Sequence, residues 1–145
     1  MKKTKKIIYW FLDLIIMTYA VIIIFPSFLF ENNLEYKNFN VYYHSNEINL
    51  EKLKSVLDES QNLLNNNELY NAEINQDIFI CNSFNEFTFF ALFGRKAFAV
   101  NYPITQNIFL SKSSITENSI LRNGKENNRR TLSGFIAHEA AHSLL

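Results

Sequence analysis

The chain has 145 residues, and its 14 Lys and Arg side chains balance its 14 Asp and Glu side chains. This balance excludes the basic excess on which nucleic-acid binding depends, so no nucleic-acid partner is expected. A single cysteine, Cys81, excludes an intramolecular disulfide and a cysteine-rich metal site. Because Cys81 ends the apolar run 78–81, we expect a buried and unreactive thiol.

The first predicted element is a membrane anchor. Four lysines at positions 2, 3, 5 and 6 precede residues 7–30, in which Asp13 is the single charged residue. About 20 apolar residues span a bilayer as a helix, so this stretch is long enough. Aromatic residues near both ends, such as Trp10 and Phe28, suit the two interfaces, and Pro26 lies near the far end, where a break costs least. The positive-inside rule keeps the lysines in the cytoplasm and places the remainder of a single-pass cell-membrane protein outside it.

A cleaved signal peptide is the alternative for this segment. Signal peptides have an apolar stretch of about 7–15 residues and an Ala-x-Ala-like cleavage site. The stretch here is longer, and residues 28–33 contain no such site, so we favour an uncleaved anchor. Asp13 lies about two turns from the lysines, and we interpret it as a tolerated charge that reaches the interface rather than as a functional one.

The rest of the chain predicts alternating strands and helices. Residues 31–38 are polar and predict a juxtamembrane link before a domain at 39–145. A strand is predicted over 39–44, and leucines at helical spacing from Leu50 to Leu64 predict a helix with Asn49 as its N-cap. Strands are also predicted over 77–82 and 97–102, with a short aromatic helix between them over 84–93, which Ser83 caps and Gly94 ends.

The last third of the chain adds one strand and one helix. Residues 107–111 predict a short strand that we place at a sheet edge. Residues 113–130 are polar, with a turn at Asn123-Gly124, and a helix is predicted from Thr131 to Leu145. This order predicts an α+β fold, in which an N-terminal transmembrane helix is followed by a small domain with a short mixed sheet and a C-terminal helix.

The C-terminal helix carries the motif His138-Glu139-Ala140-Ala141-His142. Residues four apart share one helix face, so both imidazoles are expected to point the same way and to bind one Zn²⁺. Glu139 is placed to take a proton from zinc-activated water, which would hydrolyse a peptide bond. The alternative is a helix with two unremarkable histidines, but such a cluster is costly to bury in an apolar helix without a partner.

The motif resembles that of the zincin metallopeptidases, and the strands before it are similar to minimal zincin domains of the gluzincin branch. The resemblance is strict over His138 to His142 and weaker over residues 39–145. It implies that His138 and His142 are zinc ligands and that Glu139 is the catalytic base. It also implies an edge strand that binds the substrate backbone by strand addition. We place that role on the following residues: Asn107, Ile108, Phe109, Leu110 and Ser111.

A catalytic zinc needs three protein ligands and an open position. The third ligand of the resembling families lies well past the second motif histidine, whereas this sequence ends three residues after His142. His44 is the one other histidine, and its position in an upstream strand makes it a poor third ligand. We therefore expect a fragment or a truncated gene product of a longer peptidase, one that by itself binds zinc weakly and has little or no activity.

Three functions remain open at this stage. The first is a membrane-anchored zinc peptidase that acts on peptides or proteins outside the cytoplasm. The second is a non-catalytic, membrane-anchored extracytoplasmic domain that retains the motif helix. The third, an intramembrane protease, is disfavoured because the motif does not lie within a membrane segment.

Overall fold

The computed structural model describes residues 2–44, 48–66, 75–92, 94–123 and 125–142, with the side chains of 2–4 excepted. The mixed α+β class predicted from the sequence is confirmed. The elements in chain order are α1 (Lys2–Ile24), a 3₁₀ helix (Pro26–Leu29), β1 (Asn32–Tyr36), β2 (Phe39–Tyr43), α2 (Leu50–Asn65), β3 (Gln76–Ile80), α3 (Phe84–Phe90), β4 (Ala99–Tyr102), β5 (Asn107–Leu110), β6 (Ser113–Ser114), β7 (Ser119–Arg122), β8 (Lys125–Thr131) and α4 (Leu132–His142).

The N-terminal helix α1 is the segment predicted as an anchor. Its part Lys5–Ile24 is long and apolar enough to cross a membrane. All side chains from Lys5 to Thr18 are exposed. The helix ends just before Pro26, which opens the 3₁₀ helix, because proline lacks the backbone N–H that would continue the ladder.

A five-stranded sheet forms the centre of the domain, in the order β1-β2-β3-β5-β4. Strands β2, β3 and β5 are parallel, whereas the outer strands β1 and β4 are antiparallel to their neighbours. Side chains alternate between the two faces of a strand. Ile78, Ile108 and Leu110 therefore enter one core, and Phe79 and Phe109 enter another on the opposite face.

Helices cover both faces of this sheet. Helices α2 and α4 contribute to the first core, and the predicted N-cap of α2 is confirmed because the Asn49 side chain accepts a hydrogen bond from Lys52 N at 3.0 Å. Helix α3 covers the second face, and its predicted cap is also confirmed, since Ser83 Oγ accepts from Glu86 N at 3.1 Å. The last turns of α1 pack against this second core.

Two segments predicted as irregular contain strands. The expected link at 31–38 holds β1, which pairs with β2 through a tight turn at Lys37 with a φ of 54°. Residues 113–130 form most of a three-stranded sheet, β6-β7-β8, and Asn123 takes the left-handed conformation at its predicted turn. Both were missed because few apolar residues mark them in the sequence: Leu34 and Tyr36 in β1, and Ile120 and Leu121 in β7, enter or adjoin buried positions within otherwise polar stretches. Strand β8 is exposed along its whole length.

The placement of residues 107–111 at a sheet edge is wrong. Strand β5 lies between β3 and β4, and all four of its residues are buried. The outer strand at this side of the sheet is β4, and after the turn at 103–106 the chain returns as β5, antiparallel to β4. The final helix begins as predicted, at Leu132, whereas its predicted continuation over 143–145 falls outside the described residues.

Candidate metal centre

Helix α4 presents the two motif histidines on its outer face. Leu132, Ile136 and Ala140 on its inner face are buried in the first core and fix the rotation of the helix about its axis. His138 and His142 are consequently exposed, and their Nε2 atoms lie 3.1 Å apart. The expectation that both imidazoles point the same way is confirmed.

Glu139 lies beside the two rings and is half-buried. Its burial raises the pKa of the carboxyl group above the usual range, and the neighbouring His138 and His142 lower that pKa by a smaller amount. Desolvation acts this way because it penalises the charged form of the carboxyl group. A carboxylate with a raised pKa is a stronger base than one in open water.

An open cleft reaches the first histidine from the N-terminal side of α4. Its volume is about 330 Å³, and it is lined by Arg130, Thr131, Gly134, Phe135 and His138. The ring of Phe135 packs against that of Phe98, with centroids 4.6 Å apart, and forms an apolar wall next to His138. The exposed face of the motif is thus reachable by a molecule larger than water.

The outer strand β4 lies directly against the motif helix. The side chain of Asn101 in β4 donates a hydrogen bond from Nδ2 to the backbone carbonyl of Glu139. Sequence reasoning found the strand at 97–102 but gave no role to Asn101. Nothing in the local pattern distinguishes an outer strand from an inner one, so the sequence alone offered no means of finding this contact.

The other residues considered from the sequence lie elsewhere. The His44 Nε2 atom is 2.6 Å from Glu86 Oε1, and its ring stacks on Phe30 at 4.5 Å, next to the second core. His44 is therefore on the opposite side of the sheet from His138 and His142 and does not complete a site with them. Among the described residues, no group of three His, Cys, Asp or Glu side chains is arranged to hold a metal.

The strand proposed for substrate binding does not adjoin the motif through a free edge. The backbone of β5 is paired on both sides, with β3 and with β4, so strand addition there would require one of them to leave. Asn107 at its start faces α1 instead, where its Nδ2 donates to the carbonyl oxygens of Ile23 at 3.0 Å and of Ile24 at 3.3 Å.

The prediction of a buried and unreactive cysteine agrees with the surroundings of Cys81. Cys81 is 1% exposed, and burial raises the pKa of its thiol far above the usual range. A thiol without access to solvent or to the thiolate form is not a nucleophile. The candidate reactive group is therefore the histidine and glutamate motif on α4 and not Cys81.

Comparison with known proteins found no match: no protein-family model, curated protein or solved structure matches this chain significantly.

Proposed function

We propose that this protein is a membrane-anchored, zinc-dependent peptidase whose candidate metal ligands are His138 and His142 and whose base is Glu139. The observation that carries the proposal is the separation of 3.1 Å between the two exposed Nε2 atoms, with a half-buried carboxylate on the next residue of the same helix. Two imidazoles and a carboxylate in this order are the parts needed to hold a metal ion and to activate water beside it.

The two nitrogens fit zinc. Zn–N bonds are about 2.0–2.1 Å long, so two nitrogens in a tetrahedral site are about 3.3 Å apart. The observed separation is close to this value. A zinc ion bound there would supply Lewis acidity, lowering the pKa of water and polarising a carbonyl group. With two histidine ligands from the described residues, we expect the affinity of this chain for zinc to be weak.

Glu139 supplies the proton transfer in this proposal. Its carboxylate accepts the proton of the attacking water, and the raised pKa of the group brings its basicity closer to that of a catalyst working near neutral pH. The hydrogen bond from Asn101 to the Glu139 carbonyl holds the backbone of the base against β4. Replacing Glu139 by Gln keeps the shape of the side chain and removes its basicity.

Strand β4 is the better candidate for the substrate-binding edge. It lies at the end of the five-stranded sheet, it is antiparallel to its one sheet neighbour, and it contacts the motif helix. The resemblance to zincins implies an edge strand along the cleft, with which the substrate backbone pairs as an additional strand. We therefore transfer the role proposed for residues 107–111 to Ala99–Tyr102, and this position supports a zincin-like fold.

The proposed anchor favours a site outside the cytoplasm. Segment Lys5–Ile24 has the length of a bilayer span, and the lysines that precede and open it favour a cytoplasmic N-terminus. The domain that follows would then act on peptides or proteins on the outer side of the cell membrane.

A second candidate is a non-catalytic anchored domain that keeps the motif helix. It is favoured by the described residues, among which no third metal ligand stands beside His138 and His142. The two functions differ in one respect that can be measured, because both allow metal binding but only the peptidase cleaves a peptide.

The test is cleavage of a mixed peptide library by the full chain in detergent with added zinc, analysed by mass spectrometry. We expect slow cleavage that Glu139→Gln abolishes without loss of bound zinc, and that His138→Ala abolishes together with the zinc. Glu51→Gln, a change at a highly exposed position on α2, is the matched control and should leave both unchanged. Zinc binding without cleavage of any peptide would favour the second candidate, and cleavage that survives Glu139→Gln would exclude Glu139 as the base.

A further inference from the structure

The C-terminal end of α1 is fixed to the folded domain. The Tyr19 hydroxyl donates a hydrogen bond to the carbonyl of Phe89 at 2.6 Å, and the two rings meet edge to face with centroids 5.4 Å apart. Tyr19, Ile22 and Ile23 are partly buried, whereas the positions before them are exposed. These three residues share one helix face, so α1 has a defined docking side.

A second contact caps the same end of the helix. The last carbonyl groups of a helix lack partners within it. Here the buried side chain of Asn107 donates to two of them, on Ile23 and Ile24. With the Tyr19 contact, this fixes the direction in which α1 leaves the domain, and so fixes which surface of the domain faces a membrane that α1 crosses.

Apolar side chains surround this junction and are exposed. Phe89 lies in the last turn of α3 and Leu92 lies two residues after its end; they are 43% and 38% exposed. Ile104 is 99% exposed at the tip of the turn between β4 and β5. Both ends of that turn touch α1, because Tyr102 lines a cleft with it and Asn107 caps it. We call the following six residues the junction face: Phe25, Phe28, Leu29, Phe89, Leu92 and Ile104.

The depth of the contact along α1 indicates what covers this face. The 20 residues of Lys5–Ile24 rise about 30 Å as a helix, which is the thickness of the hydrocarbon core, so the whole segment is needed to span it. Tyr19 lies five residues before Ile24, about 7.5 Å deeper along the axis. Phe89, which touches Tyr19, therefore lies below the level at which α1 leaves the hydrocarbon.

We propose that the junction face is inserted into the interfacial zone of a phospholipid bilayer, so that the domain rests on the membrane instead of standing away from it. The depth of about 7.5 Å matches that of amphipathic elements that lie in the boundary between headgroups and acyl chains, about 5–10 Å. This inference rests on the anchor in the proposed function and is independent of peptidase activity.

Two further features suit a lipid partner. A shallow cleft of about 280 Å³ between α1 and the domain is lined by apolar and aromatic residues, including Ile16, Leu92 and Tyr102, and has the chemistry of an acyl-chain site. Arg95 and Lys96 follow Leu92 in the chain and are exposed, which places two positive charges next to the junction face. Cations at that position attract the phosphate groups of anionic lipids.

Strand β4 connects the surroundings of the candidate metal centre to those of α1. Its residue Asn101 contacts the motif helix, and the next residue, Tyr102, lines the cleft beside α1 on the other face of the sheet.

The test is depth-dependent fluorescence quenching in the full chain. Trp10 in α1 is the only tryptophan, so Trp10→Phe gives a background without emission from the anchor. In that background, Phe89→Trp, Leu92→Trp and Ile104→Trp report on the junction face, and Leu63→Trp, on the exposed side of α2, is the matched control. Each variant is reconstituted in phosphatidylcholine vesicles, with and without lipids brominated near the headgroup end of the acyl chains.

We expect the three junction-face tryptophans to lose about half or more of their emission in brominated vesicles, and the tryptophan at position 63 to lose little. Ile104 lies in an exposed turn, so its substitution leaves the fold intact even if a change at Phe89 does not. The native Trp10 separates the two hypotheses. If Trp10 is quenched and the junction-face tryptophans are not, the membrane anchor is supported and insertion of the junction face is refuted. That result would hold whether the junction face is exposed to water or contacts a second copy of the chain. If Trp10 itself is not quenched, the anchor and the inserted face both fail.

Discussion

Because β4 lies against the turn that precedes it, we predict that a substitution at Gly94 destabilises the fold. A Cβ atom at Gly94 would lie 2.3 Å from Cγ2 of Val100, more than 1 Å inside the optimal carbon–carbon separation of about 3.5 Å. The backbone of Gly94 is held by hydrogen bonds from its N–H to Ala91 O and from Ala97 N to its carbonyl. Val100 is β-branched and stiff, so neither side yields easily.

The cost of Gly94→Ala follows from this overlap. Adding a methyl group to a packed site without room destabilises a protein by about 1–3 kcal/mol. Val100→Ala alone removes two partly buried methyl groups and should cost about 1 kcal/mol. In the double variant the nearest remaining atom, the Cβ of residue 100, is at an ordinary distance of 3.7 Å. We therefore expect the double variant to be no less stable than Val100→Ala, although independent sites would add to about 2–4 kcal/mol.

The assay is thermal unfolding of the full chain in detergent, followed by circular dichroism. In a chain of this size 1 kcal/mol corresponds to about 3–4 °C in Tm, so Gly94→Ala should lower Tm by about 3–12 °C. The double variant should lose no more than Val100→Ala alone, about 3–4 °C. Strictly additive losses would refute the reasoning, because they would mean that β4 does not run beside Gly94 and that the edge strand assigned to the substrate is misplaced.

Three other predictions follow from single contacts. Asn107→Ala should lower the free energy of unfolding by about 1–3 kcal/mol, and Asn107→Asp by more, because the last carbonyls of α1 lose their donor; thermal unfolding of the full chain measures both. Cys81 should not react with a thiol reagent in the folded protein and should react fully in denaturant; labelling of the native state would contradict its burial. The hydrogen bond from Lys37 lowers the pKa of Asp58, so its contribution to stability is present above the ordinary pKa of 3.8 and is lost as the pH falls through the lowered value. In Asp58→Asn, Tm should change less over that acidic range, and an unchanged pH dependence would show that the pair contributes nothing.

Elements with a buried apolar face were predictable from the sequence. The leucines of α2 recur at helical spacing because that face enters the first core, and its capping residue, Asn49, stands where an N-cap is needed. The strands at 39–43 and 76–80 are recognisable for the same reason, because burial of side chains selects apolar residues in a pattern typical of a strand. The geometry of the two motif histidines followed directly from helical periodicity.

The elements held mainly by backbone pairing were not predictable. Strand β1 has Leu34 and Tyr36 as its few apolar residues, and β8 has none, so neither shows an alternation that distinguishes it from a polar loop. The turn that follows β1 is also unusual, because Lys37 takes a left-handed conformation that glycine or asparagine more often adopts. Such strands become visible only once their partners are placed.

The order of the strands in the sheet also could not be predicted from the sequence. Residues 107–110 were identified as a strand, but its place in the interior depends on the chain forming the outer strand β4 first and then turning back, so that β5 lies between β4 and β3. That choice is made by long-range packing, and a local pattern does not contain it. The substrate-binding role was therefore assigned to the wrong strand, and Asn101, the contact between edge and motif, was missed. The burial of Asn107 against α1 could not be anticipated for the same reason.

The central claim is that the imidazoles of His138 and His142 bind one divalent ion together. The most direct measurement is a zinc titration of the full chain in detergent, with isotope-labelled histidine followed by NMR, because the chain has 3 histidines and gives one set of ring signals for each. We predict that the ring signals of His138 and His142 shift together and saturate at one zinc per chain, while those of His44 stay unchanged. Zinc shifts that involve His44, or that reach His138 and His142 independently, would contradict the metal centre and with it the peptidase.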